Sequence, residues 1–165
     1  YTFIISNNRT LVATFTVAGS GIATLPVFES FSTVTTSSIG TLPNGFSQSN
    51  VQGYVSALKF ATTGAYLLLH FDSSPGILNF DLGVNNVFPG AIPSTAAFVI
   101  EESSDGVTWT NCATYSNTDG GTKTISNLKT SSRYIRWTYS NKPTGTNIAL
   151  KNINLAAFHT GIKDV

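Results

Sequence analysis

Apolar and polar residues alternate along short stretches of this chain, and a turn signal breaks the alternation about every ten residues. Leu67, Leu69 and Phe71 fall on one side of such a stretch, with Tyr66, Leu68, His70 and Asp72 on the other. Leu78, Phe80 and Leu82 alternate in the same way with Asn79 and Asp81, and Leu58 and Phe60 oppose Lys59. Ile135, Trp137 and Tyr139 oppose Tyr134, Arg136 and Thr138. The breaks are Thr62-Thr63-Gly64, Ser73-Ser74-Pro75-Gly76, Phe88-Pro89-Gly90, Ser104-Asp105-Gly106, Asp119-Gly120-Gly121 and Asn141-Lys142-Pro143-Thr144-Gly145, residue types that reverse a chain. No helical period persists anywhere. A strand with one apolar face must bury it against another sheet, so the expected fold is all-β, an antiparallel β-sandwich of the jelly-roll kind. Strands are expected over residues 27–31, 53–60, 65–72, 77–84, 96–102, 107–115, 122–126, 133–140 and 147–157. A Ser/Thr-rich loop and the segment Leu42-Pro43-Asn44-Gly45-Phe46 separate the first of these from the rest.

Composition narrows the class further. A chain of 165 residues can bury one sizeable core and is too short for two ordinary domains. Its 11 Phe, 6 Tyr and 2 Trp supply apolar surface that disordered chains lack. A net charge of +1 gives no field to steer the chain onto nucleic acid or an anionic membrane, and no apolar run is long enough to span a bilayer. The single Cys112 excludes an internal disulfide and a thiolate metal cluster; on a strand after Trp109 it reads as a small buried hydrophobe. Ser, Thr and Asn together number 56, a surface common in secreted bacterial modules, and an extracellular monomer is expected.

If the strands of one sheet lie side by side, Lys59, Tyr66, His70, Asn79, Asp81, Tyr134 and Arg136 line one solvent-facing surface. Rings that stack on apolar sugar faces, beside planar groups that hold hydroxyls, are what a sugar-binding surface uses. The same set also serves as an ordinary solvated face with cross-strand pairs. Phe46 and Tyr54, in the expected loop and at the next strand, are further stacking candidates. Lys59 and Arg136 suit an anionic, sulfated or uronic glycan, and His70 a pH-sensitive contact. Loop-end binding, over 43–54 and 85–94, stays open beside strand-face binding.

Two segments resemble known families. Tyr1-Thr2-Phe3-Ile4-Ile5, Ser6-Asn7-Asn8-Arg9-Thr10 and Leu11-Val12-Ala13-Thr14-Phe15 resemble the last two strands of an internalin-type B-repeat, a spacer in secreted multidomain bacterial proteins. Residues 1–17 are therefore expected to be the tail of a preceding repeat, 18–25 a linker, 26–158 the main module and 159–165 a C-terminal tail. A chain beginning at Tyr1 with no initiator Met is expected to be a piece of a larger protein. Within the main module, Phe98-Val99-Ile100-Glu101-Glu102-Ser103-Ser104-Asp105-Gly106-Val107-Thr108-Trp109-Thr110, Arg133-Tyr134-Ile135-Arg136-Trp137 and Ile148-Ala149-Leu150-Lys151-Asn152-Ile153-Asn154-Leu155 resemble galactose-binding-like jelly-roll modules. The resemblance implies a non-catalytic carbohydrate-binding module or structural accessory domain, with a catalytic domain elsewhere on the parent chain. It places Trp109 and Trp137 in framework positions, as core residues. It also implies a structural Ca²⁺ between a Glu after an early Phe and an Asp in a closing strand; Glu29 fits the first, and Asn152 stands where the Asp would be, with Lys151 replacing a second acid.

Catalysis has little to build on. No G-x-S-x-G, H-E-x-x-H, P-loop or G-x-G-x-x-G pattern is present, and His70 and His159 are the only imidazoles. Asp72, Asp81, Glu101 and Glu102 are the acids from which a glycosidase pair would be drawn, but Glu101 and Glu102 point to opposite faces of one strand. Tyr66, His70 and Arg136 mimic a lyase set. The expected function is a carbohydrate-binding module that anchors a secreted polysaccharide-active enzyme to its polysaccharide. The alternative is a spacer or adhesion module without glycan binding, carrying an apolar patch of Phe46, Val87 and Phe88.

Overall fold

Among the described residues, eleven strands carry the expected alternation into two facing sheets. A computed structural model of the protein describes residues 21–159. The B-repeat reading of 1–17, the start of the linker, residues 160–165 of the tail and the side chain of Val87 lie outside the described residues. The strands are β1 (Val27–Glu29), β2 (Phe46–Ser49), β3 (Val51–Tyr54), β4 (Ala57–Phe60), β5 (Tyr66–His70), β6 (Pro75–Val84), β7 (Ala97–Ser103), β8 (Thr110–Tyr115), β9 (Gly121–Ile125), β10 (Tyr134–Asn141) and β11 (Ile148–Ala157), with one short 3-10 turn at Asn85–Val87. One sheet runs β3-β4-β11-β6-β9, with β1 also pairing β11; the other runs β2-β5-β10-β7-β8. Every strand pair is antiparallel. Among the described residues no helix is long and apolar enough to cross a membrane.

The apolar face of each expected strand is the face that is buried. Leu67, Leu69, Phe71, Leu78, Phe80, Leu82, Ile135, Trp137 and Tyr139 all lie in the core between the sheets. Phe80 of one sheet meets Trp137 and Tyr115 of the other edge-on, at 6.1 and 5.9 Å between centroids. Phe60 and Phe98 meet likewise at 4.9 Å. Such edge-to-face contacts put the positive rim of one ring on the negative face of the next, which adds to the area each ring removes from water. Trp137 is core, as expected.

Three local expectations need correction. Residues 53–60 form a tight hairpin of β3 and β4, not one strand: Ser56 turns with φ 52° and its N–H is held by the Val34 carbonyl at 3.0 Å. The strand expected from Val107 begins at Thr110, because Ser103–Thr108 is folded into a hydrogen-bonded turn described below. β2 was not among the expected strands; Pro43-Asn44-Gly45 signals a turn, and only after it does Phe46 pair with Leu69.

Candidate functional site

The motif Ser103-Ser104-Asp105-Gly106-Val107-Thr108-Trp109 is a turn that aims one indole. Asp105 Oδ1 accepts the Val107 and Thr108 N–H groups, both at 2.8 Å, and the Ser103 hydroxyl at 2.9 Å. The Ser103 Oγ in turn accepts the N–H of Asp105 and of Gly106. A carboxylate receiving this many donors is stabilised in its charged form, and those bonds pull the Asp105 pKa from 3.8 to about 2, with the Thr108 N–H contributing most. Gly106 sits at φ +73°, and a Cβ there would press on the Tyr134 ring at 3.2 Å. The turn thus packs its backbone flat against Tyr134 and returns the chain at Trp109.

Trp109, half-buried, lies on the outer face of the five-stranded sheet. The Arg136 guanidinium carbon stands 4.1 Å from the centroid of its ring, and Tyr134 meets it edge-on at 6.5 Å. Arg136 Nε and Nη2 both donate to Glu101 Oε2, at 3.0 and 2.8 Å. On the far side of Tyr134, His70 stacks nearly parallel at 4.1 Å and 12°. Strand register explains the grouping: Tyr134 is paired with His70, Arg136 with Leu68 and Glu101, and Thr138 with Tyr66. Because alternate residues share a face, Tyr66, Leu68, His70, Tyr134, Arg136, Glu101 and Trp109 form one strip. Partial burial lowers the His70 pKa from its ordinary value, which disfavours the imidazolium, and the Arg136 charge is matched by Glu101. The strip is rich in π faces, and its arginine is paired with its one carboxylate.

The expected single surface is therefore two surfaces. Tyr66, His70, Tyr134 and Arg136 share the strip, whereas Lys59, Asn79, Asp81 and Tyr54 lie on the outer side of the opposite, six-stranded sheet. There, Asp81 accepts from the Thr122 hydroxyl and the Asn152 amide, each at 2.7 Å, and Asn79 accepts from Thr124 at 2.7 Å. Alternation assigns each residue a side of its own strand but does not say which strands share a sheet. Phe46 is not a stacking platform. It is fully buried and packs edge-on against Phe31 at 5.9 Å, because Gly45 turns the chain inward and β2 joins the sheet. The Phe46–Val87–Phe88 patch dissolves with it, and Phe88 instead packs beneath the Lys151 ammonium at 4.3 Å. Trp109, expected in the core, is the centre of the strip. The signal that finds it is the Asp-Gly turn: two residues of return after Gly106 leave Trp109 outside the strand that follows.

Of the remaining candidates, Glu29 lies opposite Ile153, one register position from Asn152. The Glu29 carboxylate accepts the Phe31 N–H at 2.6 Å, and the Asn152 amide turns away to Asp81. With Lys151 adjacent, these side chains offer a Ca²⁺ few of the six to eight oxygens it takes, and among the described residues no three His, Cys, Asp or Glu side chains gather. Cys112 is half-buried, and burial pushes its thiol up to about 12, which leaves it unreactive. The acids weighed for hydrolysis have other partners: Glu101 binds Arg136, Glu102 is buried, and Asp72 is held below the usual carboxylate range by the Ser73 hydroxyl and the Leu25 N–H.

No family model and no curated protein matches the sequence. Solved structures do share its architecture. The K2 cleaved adhesin domain of Lys-gingipain superposes with a TM-score of 0.62 at 13% identity, over 81% of this chain and 99% of that one. The K3 cleaved adhesin domain of Lys-gingipain from Porphyromonas gingivalis gives 0.58 at 11% identity, covering 79% and 98%. A mutant of the family 29 carbohydrate-binding module CBM29-2, complexed with mannohexaose, gives 0.53 at 16% identity, covering 80% and 93%. The chain has the β-sandwich fold that these carbohydrate-binding and adhesin modules share.

Two expectations follow from the turn. Gly106→Ala places a Cβ against Tyr134 at a φ that L residues adopt at a cost of about 1–2 kcal/mol. A fall of a few degrees in Tm is expected, together with loss of the ring-current shift that Tyr134 imposes on the His70 protons, readable by NMR. Asp105 carries a depressed pKa, so the stability it lends is complete above 3.8 and is lost as pH falls from there through about 2. Trp109 fluorescence is expected to change across that acid window in the native protein, and the Asp105→Ala variant to show the acid-limit signal already at pH 7. An unchanged Trp109 signal in Asp105→Ala would refute the role assigned to the turn.

Proposed function

We propose that this chain is a non-catalytic carbohydrate-binding module whose ligand lies along the outer face of the five-stranded sheet. The observation that carries the reading is the strip itself: Trp109, Arg136, Tyr134 and His70 in unbroken π contact, with the Glu101 carboxylate beside them. Indole and imidazole faces stack on the C–H faces of pyranose rings, and the Arg136–Glu101 pair supplies fixed donors and an acceptor for hydroxyls. Pairing of Arg136 by Glu101 and the burial that disfavours a charged His70 favour a neutral polysaccharide. The anionic preference expected from Lys59 and Arg136 together loses its basis, since those residues face opposite ways. The mannohexaose complex of the structurally similar CBM29-2 supports a neutral, mannose-containing ligand as the first to try. In a secreted parent protein, such a module would hold a neighbouring catalytic domain on its polysaccharide by raising effective concentration.

A second reading, adhesion to a protein, is favoured by one observation besides the likeness to gingipain adhesin domains. Phe28 is 68% exposed on the opposite sheet, and Ile77 is exposed two strands away.

Affinity electrophoresis through gels containing neutral, uronic and sulfated polysaccharides separates the readings. Retardation by a neutral polysaccharide is expected. Passage through all of the gels without retardation would remove the glycan reading and leave adhesion. Running the gels with and without EDTA tests the structural Ca²⁺ that the family resemblance implied. With so few oxygens offered by Glu29 and Asn152, retention is expected to be unchanged by the chelator, and chelator-sensitive retention would restore the metal.

A further inference from the structure

On the inner side of the segment that carries Trp109 lies a pocket that the strip does not use. Glu102 is only 4% exposed and lies on β7 opposite Ile135 and Thr110. A buried carboxylate is costly unless donors surround it. Two do, the Lys129 N–H at 2.8 Å and the Ser132 hydroxyl at 2.6 Å, but both bind the same oxygen, Oε2. Among the described residues no hydrogen bond reaches Oε1, and Glu102 lines a cavity of about 230 Å³. The rest of the lining is hydroxyls, including Ser104, Thr108 and Thr110, with the Lys129 ammonium fixed on Thr110 Oγ1 at 3.1 Å. An ammonium has three donors, so two remain.

We infer that this pocket binds one small neutral polyol, a single pyranose unit with vicinal hydroxyls, independently of the aromatic strip. A vicinal diol matches it group for group. One hydroxyl donates to Glu102 Oε1, its neighbour accepts from Lys129 Nζ, and Thr or Ser hydroxyls complete the shell. The cavity is smaller than the roughly 300–1,000 Å³ of sites that enclose drug-sized ligands, which suits one sugar unit within it. A simple inorganic anion would be repelled by the carboxylate, and a cation by the ammonium. Thr108 and Thr110 line the pocket while Trp109 between them faces the strip, so one short segment separates the two sites.

The test is a ¹H–¹⁵N NMR titration of the whole chain with D-mannose, D-glucose, D-galactose and glycerol, each to about 50 mM, far enough above the millimolar range to saturate a weak site. Saturable shifts at the Thr108, Thr110, Lys129 and Ser132 amides are expected with at least one hexose. They should be retained in Trp109→Ala and weakened tenfold or more in Lys129→Ala, which keeps the backbone N–H that anchors Glu102. Glu102→Gln is a second variant, expected to abolish the shifts where it folds. Absence of saturable shifts at these amides with every sugar, or equal affinity in Lys129→Ala, would overturn the inference. Shifts confined to the Trp109 indole and Tyr134 would overturn it too, while leaving the strip in place.

Discussion

Trp109→Ala is expected to remove retention in the polysaccharide gel that retards the native protein. The indole has the Arg136 guanidinium over its ring and a steep T-shaped contact with Tyr134, so it is both a platform and a packing partner of Arg136. Aromatic residues at the centre of a binding surface typically cost at least about 2 kcal/mol when truncated, about thirtyfold in affinity. Because Trp109 is half-buried and lies outside the core, the variant should fold, and its Tm should stay close to the native value. Lys59→Ala, on the opposite sheet, is the matched control and should migrate as the native protein does. Equal retention of Trp109→Ala and the native chain would move the ligand off the strip; loss in Lys59→Ala alone would move it to the six-stranded sheet.

The largest effect on stability is expected at Phe80. Its side chain is fully buried and bridges the sheets through Trp137 and Tyr115. Phe80→Ala removes that bridge and leaves a cavity that rings fixed by other contacts cannot fill, at a cost of about 3–5 kcal/mol. For a chain of this size that amounts to a drop of about 10 °C or more in Tm. Phe28→Ala removes the same group from an exposed position and should change stability by no more than about 0.5 kcal/mol. Urea unfolding of both variants decides the matter: the midpoint should fall for Phe80→Ala with little change in slope, and a midpoint near the native value would contradict the inter-sheet role given to this ring.

Much of the fold was legible because period-2 alternation is a local property. Leu67, Leu69 and Phe71, or Ile135, Trp137 and Tyr139, declare their buried side from their own neighbours, and the turn residues between runs mark where each strand stops. The site was legible only in part. Tyr66 and His70 on β5 and Tyr134 and Arg136 on β10 come together as expected, since those two strands are paired. Lys59, Asn79 and Asp81 have the same outward pattern on strands of the other sheet, and nothing in their own sequence distinguishes the two cases. Phe46 misleads for a related reason: after Pro43-Asn44-Gly45 it looks like a loop residue, and its burial depends on β2 pairing with a strand about twenty residues on. Trp109 misleads in the opposite direction, because a Trp near a strand is usually core, and its outward aim is set by the hydrogen bonds that Asp105 and Ser103 make.

By itself, then, the sequence determined the secondary structure class, the apolar face of most strands and the turns between them, all of which depend on residues within a few positions of one another. Strand order, the division of outward residues between two sheets and the inward pocket at Glu102 were decided by tertiary structure. Those features rest on pairings between distant segments, such as β10 with β5 and β7, whose free energy comes from closing one shared core and not from any local preference.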